Sequence, residues 1–229
     1  MSKYCPLGGY VVCLDCLECE VKSCMKKQTQ VKPKCIIGVD QSYKRTGISV
    51  ASENALCCVS SIELYKLTSN TQKRLEIASR LSGVIEQYLK NYTIEKIIVE
   101  RIRLQSQGFI NINYIKSIGA LNAAIVDTAN KYDIPVYSVD TRAWKSKIVG
   151  TCKPKENKYG VDPHKWPTLL FVKKLGFISD ILVPAGKRKT GIIEIKGKKY
   201  AFNDDAADSA CIALYGFLPK NKQNLKEEH

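Results

Sequence analysis

The sequence predicts an α/β fold, a mixed sheet flanked by helices, with a small cysteine-rich metal-binding module at its N-terminus. Three observations carry this expectation. Short apolar runs of strand length alternate with longer segments whose apolar residues recur at helical spacing. Cysteines crowd the opening of the chain, five of them between Cys5 and Cys24, and then thin out. Between the two regimes lies "MKKQTQVKPK", polar and basic with one proline, which reads as a linker. The boundaries that follow are a module over 1–25, a linker over 26–34, a main domain over 35–218 and a charged tail over 219–229.

In the module, Cys13, Cys16 and Cys19 repeat as C-x₂-C-x₂-C, with Cys5 and Cys24 outside them. That gives five candidates for the four positions of a tetrahedral Zn²⁺ site, and a segment this small has little core to hold it together without a metal. An iron-sulfur cluster or plain reduced thiols are the alternatives. No apolar run approaches the roughly 18 residues of a membrane span, and the first residues contain no signal-peptide core. An intracellular, cytoplasmic protein is expected, with thiols rather than disulfides. Cys35, Cys57, Cys58, Cys152 and Cys211 are scattered through strand, loop and helix contexts and read as small hydrophobes.

Along the main domain, "CIIGVD" suits a buried strand, and "TGISVAS" and "CCVSSIELY" continue as two more, antiparallel to it. A Ser/Thr/Asn-rich start then caps a helix with Leu75, Ala78, Leu81, Ile85 and Leu89 on one face. "IEKIIVE" returns as a strand ending at Glu100, and "RIRLQSQGF" reads as a loop. Ile115, Ile118, Leu121, Ile125 and Ala129 mark a long helix, and "IPVYSVD" another strand. Asp162 and Pro163 suit the cap and first position of a further helix. "TGIIEIKGKKYAF" reads as a hairpin turning near Gly197, and the last helix begins at Asp205.

Charge narrows the partner. Lys and Arg number 36 against 22 Asp and Glu, a formal net charge of +14, which favours a polyanion such as nucleic acid. Membrane binding would call for a basic amphipathic helix, and none is found. Lys145, Lys147, Lys153, Lys155, Lys158 and Lys165 form a basic stretch interleaved with Trp144, Tyr159 and Trp166, a combination suited to phosphate contact with some base or sugar packing.

Against this basic background stand a few acids in expensive places. Asp40 lies inside an apolar strand and Glu100 ends another, and a carboxylate buried there needs a compensating partner. Asp205 and Asp208 are three residues apart on a helix, as Asp204 and Asp208 are four apart, so either pair shares a face. Carboxylates facing one point bind a hard cation, although a single Asp at a helix start is explained by the helix dipole alone.

"IIGVDQSYKRTGISV", "IIVERIR" and "DDAADSACIALYG" resemble, in order and spacing, the three acidic blocks of the RuvC family of Holliday-junction resolvases, in the RNase H-like superfamily. The resemblance covers roughly residues 35 to 217. "NYIKSIGALNAAI" looks like that family's helix after the glutamate loop, and "TRAWKSKIVG" like its lysine-bearing segment. It implies an RNase H-like mixed sheet, with Asp40, Glu100, Asp205 and Asp208 as catalytic ligands of two Mg²⁺ or Mn²⁺ ions and Asp204 as a neighbour. It further implies a homodimer that resolves four-way DNA junctions by paired symmetric nicks, in DNA recombination and repair. Arg101, Arg103 and Phe109, with the basic stretch, are then the DNA contacts; Phe109 stands somewhat further from the glutamate than the family's aromatic residue. The alternatives are an RNase H-like nuclease acting on flaps, branched DNA or RNA-DNA hybrid, and a non-catalytic zinc-dependent nucleic-acid-binding protein.

Overall fold

The apolar run at Cys35 forms the strand around which the rest is built. β1 (Lys34–Asp40) pairs antiparallel with β2 (Arg45–Ser52), which pairs antiparallel with β3 (Ala55–Glu63). On its other side β1 runs parallel to β4 (Thr93–Glu100), and β4 parallel to β5 (Val136–Val139). With β9 (Leu225–Glu228) the sheet has six strands in the order β3-β2-β1-β4-β5-β9. These features belong to a computed structural model that describes residues 34–42, 45–53, 55–63, 70–101, 112–150, 160–186 and 191–228. The cysteine module with Cys5, Cys13, Cys16, Cys19 and Cys24 lies outside the described residues, as do Cys152, Arg103, Phe109, Lys153, Lys155, Lys158 and Tyr159.

Both faces are buried over 35–39 of β1 and 97–99 of β4, which is why those stretches read as continuous apolar runs. Alternate side chains separate the faces. Ile37, Val39, Ile97 and Val99 point toward α1 (Thr71–Asn91) and α2 (Ile112–Asn130), meeting Leu81, Ile85, Leu121 and Ile125. Ile36 and Ile98 point to the other face, packing with Trp144, Leu169, Ala210 and Cys211 of α3 (Thr141–Trp144), α4 (Trp166–Lys174) and α5 (Asp204–Tyr215). Each such fully buried aliphatic side chain stabilises the fold by roughly 1.5–3 kcal/mol.

In α1 the expected stripe is displaced at its start. Asn70 caps the helix, accepting from the Lys73 amide at 3.1 Å, and Ala78, Leu81 and Ile85 face inward. Leu75, however, is 55% exposed, and Arg74 is buried in its place with its guanidinium donating to Thr71 Oγ1 at 2.9 Å. Position 74 stands four residues before Ala78 and so continues the same face, and an Arg stem can cover apolar surface while its head finds a polar partner.

A second sheet, β6-β8-β7, is built from β6 (Leu182–Pro184), β7 (Ile192–Ile195) and β8 (Lys198–Phe202). The β7–β8 turn has Lys196 at φ 50° and Gly197 at φ 75°, the left-handed pair that a two-residue hairpin turn requires. One expectation is corrected. Asp162 does cap, accepting from the His164 amide at 2.8 Å, but it caps a turn, and the helix proper starts at Trp166. Part of the charged tail is a strand: β9 pairs antiparallel with β5, and the Tyr215 hydroxyl accepts from the Asn224 amide at 2.7 Å just before it. Four residues with two acids and one lysine, "LKEE", carry no strand periodicity, and the edge of β5 supplies the partner.

Candidate metal centre

The site begins with two glycines. α5 lies so close to β1 and β2 that a Cβ on Gly38 would stand 2.2 Å from the Ser209 carbonyl oxygen, and one on Gly47 would stand 1.8 Å from that of Asp205. Only residues without a side chain allow this contact. The start of α5 is pinned further by Asn203, whose side chain accepts from the Ala206 amide and donates to Ser61 Oγ at 2.6 Å. Ser49 and Ser209 share a 2.7 Å hydrogen bond beneath the helix. The acids of α5 are thereby fixed against the carboxyl end of β1.

Parallel pairing does the rest. Val39 of β1 stands beside Val99 of β4, so the next residues, Asp40 and Glu100, leave the sheet side by side at the strand ends where α/β sheets place their ligands. One carboxylate oxygen from each of Asp40, Glu100 and Asp208 lies within 4.8 Å of the other two, a group able to hold a metal ion. Asp205 is not in that trio, though its charge acts on Asp40. Asp204 is bound by the Lys165 ammonium.

Glu100 is held at both oxygens. Thr141 Oγ1 donates to Oε1, and Trp144 Nε1 donates to Oε2 at 3.2 Å. These holders come from the start of α3, where the Asp140 side chain caps the Arg142 amide at 2.9 Å. A single π-helical turn, Lys145–Val149, follows α3, and Lys145 at its start reaches back to Asp208 Oδ2 at 3.3 Å. Such π turns recur at functional sites. Sequence reasoning missed Thr141 and gave Trp144 a different role; for Thr141, a polar residue just after the capping Asp140 and close in chain to a lysine of interest, that position was the available signal.

The electrostatics are those of a site short of positive charge. Burial, and then the charges of Asp208, Glu100, Asp205 and Asp204, push Asp40 well above the usual carboxylate range. Burial likewise pushes Asp208 up to about 7, against the opposing pull of Lys145. The Thr168 hydroxyl also eases Asp208, yet among the described residues no hydrogen bond of ordinary geometry reaches its buried Oδ1. For Lys165, burial alone would lower the pKa, but the hydrogen bond and charge of Asp204 outweigh it and raise it. Clustered carboxylates with an unsatisfied buried oxygen, and no histidine or thiolate among them, fit a hard divalent cation.

The basic stretch divides. Lys145 and Lys165 sit at the acids, and Lys147 is exposed. Trp144 and Trp166, expected to pack against nucleic acid, are instead core residues at 0% and 4% exposure. A local mixture of lysines and aromatics does not say which of them faces the sheet. Arg101 is half-buried and donates to Ser138 Oγ at 3.2 and 3.4 Å.

A mixed sheet in this strand order, covered by helices on both faces and carrying acids at the ends of β1 and β4, is consistent with an RNase H-like fold. Among solved structures it is similar to RuvC of Thermus thermophilus. The structure of that protein in complex with a Holliday junction substrate is 16% identical, covers 85% of this chain and 99% of its own, and aligns with a TM-score of 0.54. A second Thermus thermophilus RuvC structure gives the same identity and coverage with a TM-score of 0.51. The yeast mitochondrial Holliday junction resolvase Ydc2 is 19% identical over 81% of this chain and 79% of its own, at a TM-score of 0.48, too low to carry a fold argument. No family model and no curated protein matches the chain. The likeness is therefore one of fold.

Proposed function

We propose that the protein is a divalent-metal-dependent endonuclease that cuts four-way DNA junctions by paired symmetric nicks. The observation that carries this reading is the carboxylate trio of Asp40, Glu100 and Asp208, with the unsatisfied Asp208 Oδ1, on the fold of RuvC. The Thermus protein's complex with a Holliday junction supports the junction as substrate.

Asp40, Glu100 and Asp208 would hold one Mg²⁺ or Mn²⁺, and Asp205 would complete a second position. Two such ions, when bound, supply an activated water and stabilise the leaving 3′ oxygen of the scissile phosphodiester. The chain's own residues do the rest. Thr141 and Trp144 fix the direction of both Glu100 oxygens. Lys145 holds Asp208 as an anion below the pH at which burial alone would allow it, and its ammonium is placed to meet a phosphate once the acids are neutralised. Lys147, Lys165 and Arg101, with Arg103, Phe109, Lys153, Lys155 and Lys158, form the DNA-binding surface in this reading. The chain acts inside a cell as a homodimer, because a four-way junction presents two equivalent cut sites. The module of Cys5, Cys13, Cys16, Cys19 and Cys24 binds Zn²⁺ through four of its five thiolates.

Incubation of the protein with a labelled junction, linear duplex, flap and RNA-DNA hybrid, with and without Mg²⁺, tests the reading. Metal-dependent paired nicks in the junction support it. Preferred cutting of flap or hybrid moves the substrate, and binding without cutting on any of them removes the enzyme.

A further inference from the structure

Trp144 is fully buried beside the carboxylate trio, and two different parts of its ring meet charged groups. At the ring edge, Nε1 donates to Glu100 Oε2 at 3.2 Å. Over the ring face, the Lys145 ammonium stands 5.0 Å from the ring centroid, and the same ammonium reaches Asp208 Oδ2 at 3.3 Å. One indole thus touches one member of the trio directly and a second through Lys145.

Each contact follows from the chemistry of the ring. A buried indole N–H needs an acceptor, and a carboxylate makes the stronger kind of hydrogen bond. The indole face carries negative charge density and is the best of the aromatic faces for a cation. Adjacent residues of a regular helix do not face one another. It is therefore the long stem of Lys145, at the start of the π-helical turn, that brings its ammonium back over its neighbour. The Lys145 side chain is 32% exposed and that of Asp208 14%, so water competes little for the seated ammonium.

We infer that Trp144 is a two-sided positioning residue: its N–H orients Glu100 for the metal, and its face seats Lys145 so that the ammonium is presented to the phosphate. The inference rests on the nuclease reading above and adds to it one side chain that fixes a metal ligand and a phosphate-facing cation as a unit. The two contacts use different parts of the ring, so substitution separates them. Trp144→Phe removes the donor and keeps a face, whereas Trp144→Leu removes both. A role in packing alone would change stability in each variant and metal affinity in neither.

Calorimetric Mn²⁺ titration of the full chain without DNA tests the donor. Trp144→Phe should weaken the metal by roughly 10- to 100-fold, the usual loss when a partner of a metal ligand is removed. Trp166→Phe, which trims the other indole of the same core, should lower Tm and leave the affinity at wild type. The seat is tested in the metal-free chain labelled with ¹³C at lysine Cε. The Lys145 resonance, identified by its loss in Lys145→Met, should carry the upfield shift of protons over a ring in the wild type and in Trp144→Phe. It should lose that shift in Trp144→Leu, or in Trp144→Met should the leucine variant not fold. At saturating Mg²⁺, the factor by which Lys145→Met lowers kcat on a junction should be roughly 2- to 30-fold smaller in Trp144→Leu than in Trp144→Phe. Wild-type Mn²⁺ affinity in Trp144→Phe overturns the donor role. A Lys145 resonance unmoved by Trp144→Leu, or equal kcat factors in the two backgrounds, overturns the seat. A wild type that binds Mn²⁺ and cuts no junction removes the nuclease, while the titration and the spectrum still decide each contact; one that binds no Mn²⁺ overturns both.

Discussion

The Lys145 ammonium lies 3.3 Å from Asp208 Oδ2, while the other oxygen of the same carboxylate is buried without a hydrogen-bond partner among the described residues. One half of Asp208 is thus neutralised from within the chain, and the other half is the one a bound cation would meet. Because burial lifts its pKa to about 7 even with Lys145 in place, metal affinity should rise as pH increases through about 7. Lys145→Met should move that midpoint up by about one unit. Mn²⁺ titrations across a pH series, without DNA, read the shift directly; an unmoved midpoint would mean that the ion pair does not govern the site.

Stability without metal should run opposite to the usual acid sensitivity. Asp40 and Asp208 both bind protons more tightly in the folded chain than at the ordinary carboxylate value of 3.8. Their contribution is therefore full below that value and is lost as pH rises through the folded pKa. In EDTA the Tm should climb on going from about pH 8 to about pH 5.5, and saturating Mg²⁺ should reduce the difference by stabilising the ionised form. A Tm that falls on acidification over this range would contradict the electrostatics described for the trio.

Asp208→Asn should separate folding from function. Removing the buried charge should raise the metal-free Tm, abolish the stabilisation by Mg²⁺, and lower cutting by at least about 100-fold. Asp205→Asn should behave differently, keeping the tighter ion and weakening a second one, since Asp205 stands outside the trio. Calorimetric Mn²⁺ titration distinguishes one lost site from two.

Gly47→Ala should disturb the centre without touching an acid. The added methyl would stand 1.8 Å from the Asp205 carbonyl oxygen, so α5 has to move away from β2. Overpacking of this kind costs at least about 2 kcal/mol, or roughly 4–8 °C in Tm for a domain of this size. Metal affinity should fall with it; a variant with wild-type Tm and affinity would show that the close approach is dispensable.

What the sequence disclosed followed from local cost. Asp40 within an apolar run and Glu100 at the end of another were visible because a carboxylate in a buried strand needs an explanation, and the helices announced themselves through Leu81, Ile85, Leu121 and Ile125. What stayed hidden depended on non-local packing. Spacing along α5 treats Asp204 and Asp205 alike, and only the fold shows Asp204 bound to Lys165 and Asp208 beside Asp40. Trp144 and Trp166 looked like surface aromatics among lysines because chain position does not reveal which face meets a sheet. β9 and the Gln41–Asn122 pair depend on contacts with β5 and across 81 residues of sequence, and they leave no periodic trace.

The most direct test of the central claim is cleavage of a labelled four-way junction by the purified chain with and without Mg²⁺, with Asp40→Asn as control. Paired symmetric nicks that require Mg²⁺ and vanish in the variant are the result predicted. Junction binding with no cutting in Mg²⁺ or Mn²⁺, or equal cutting by the variant, would contradict the assignment of the trio as a nuclease centre.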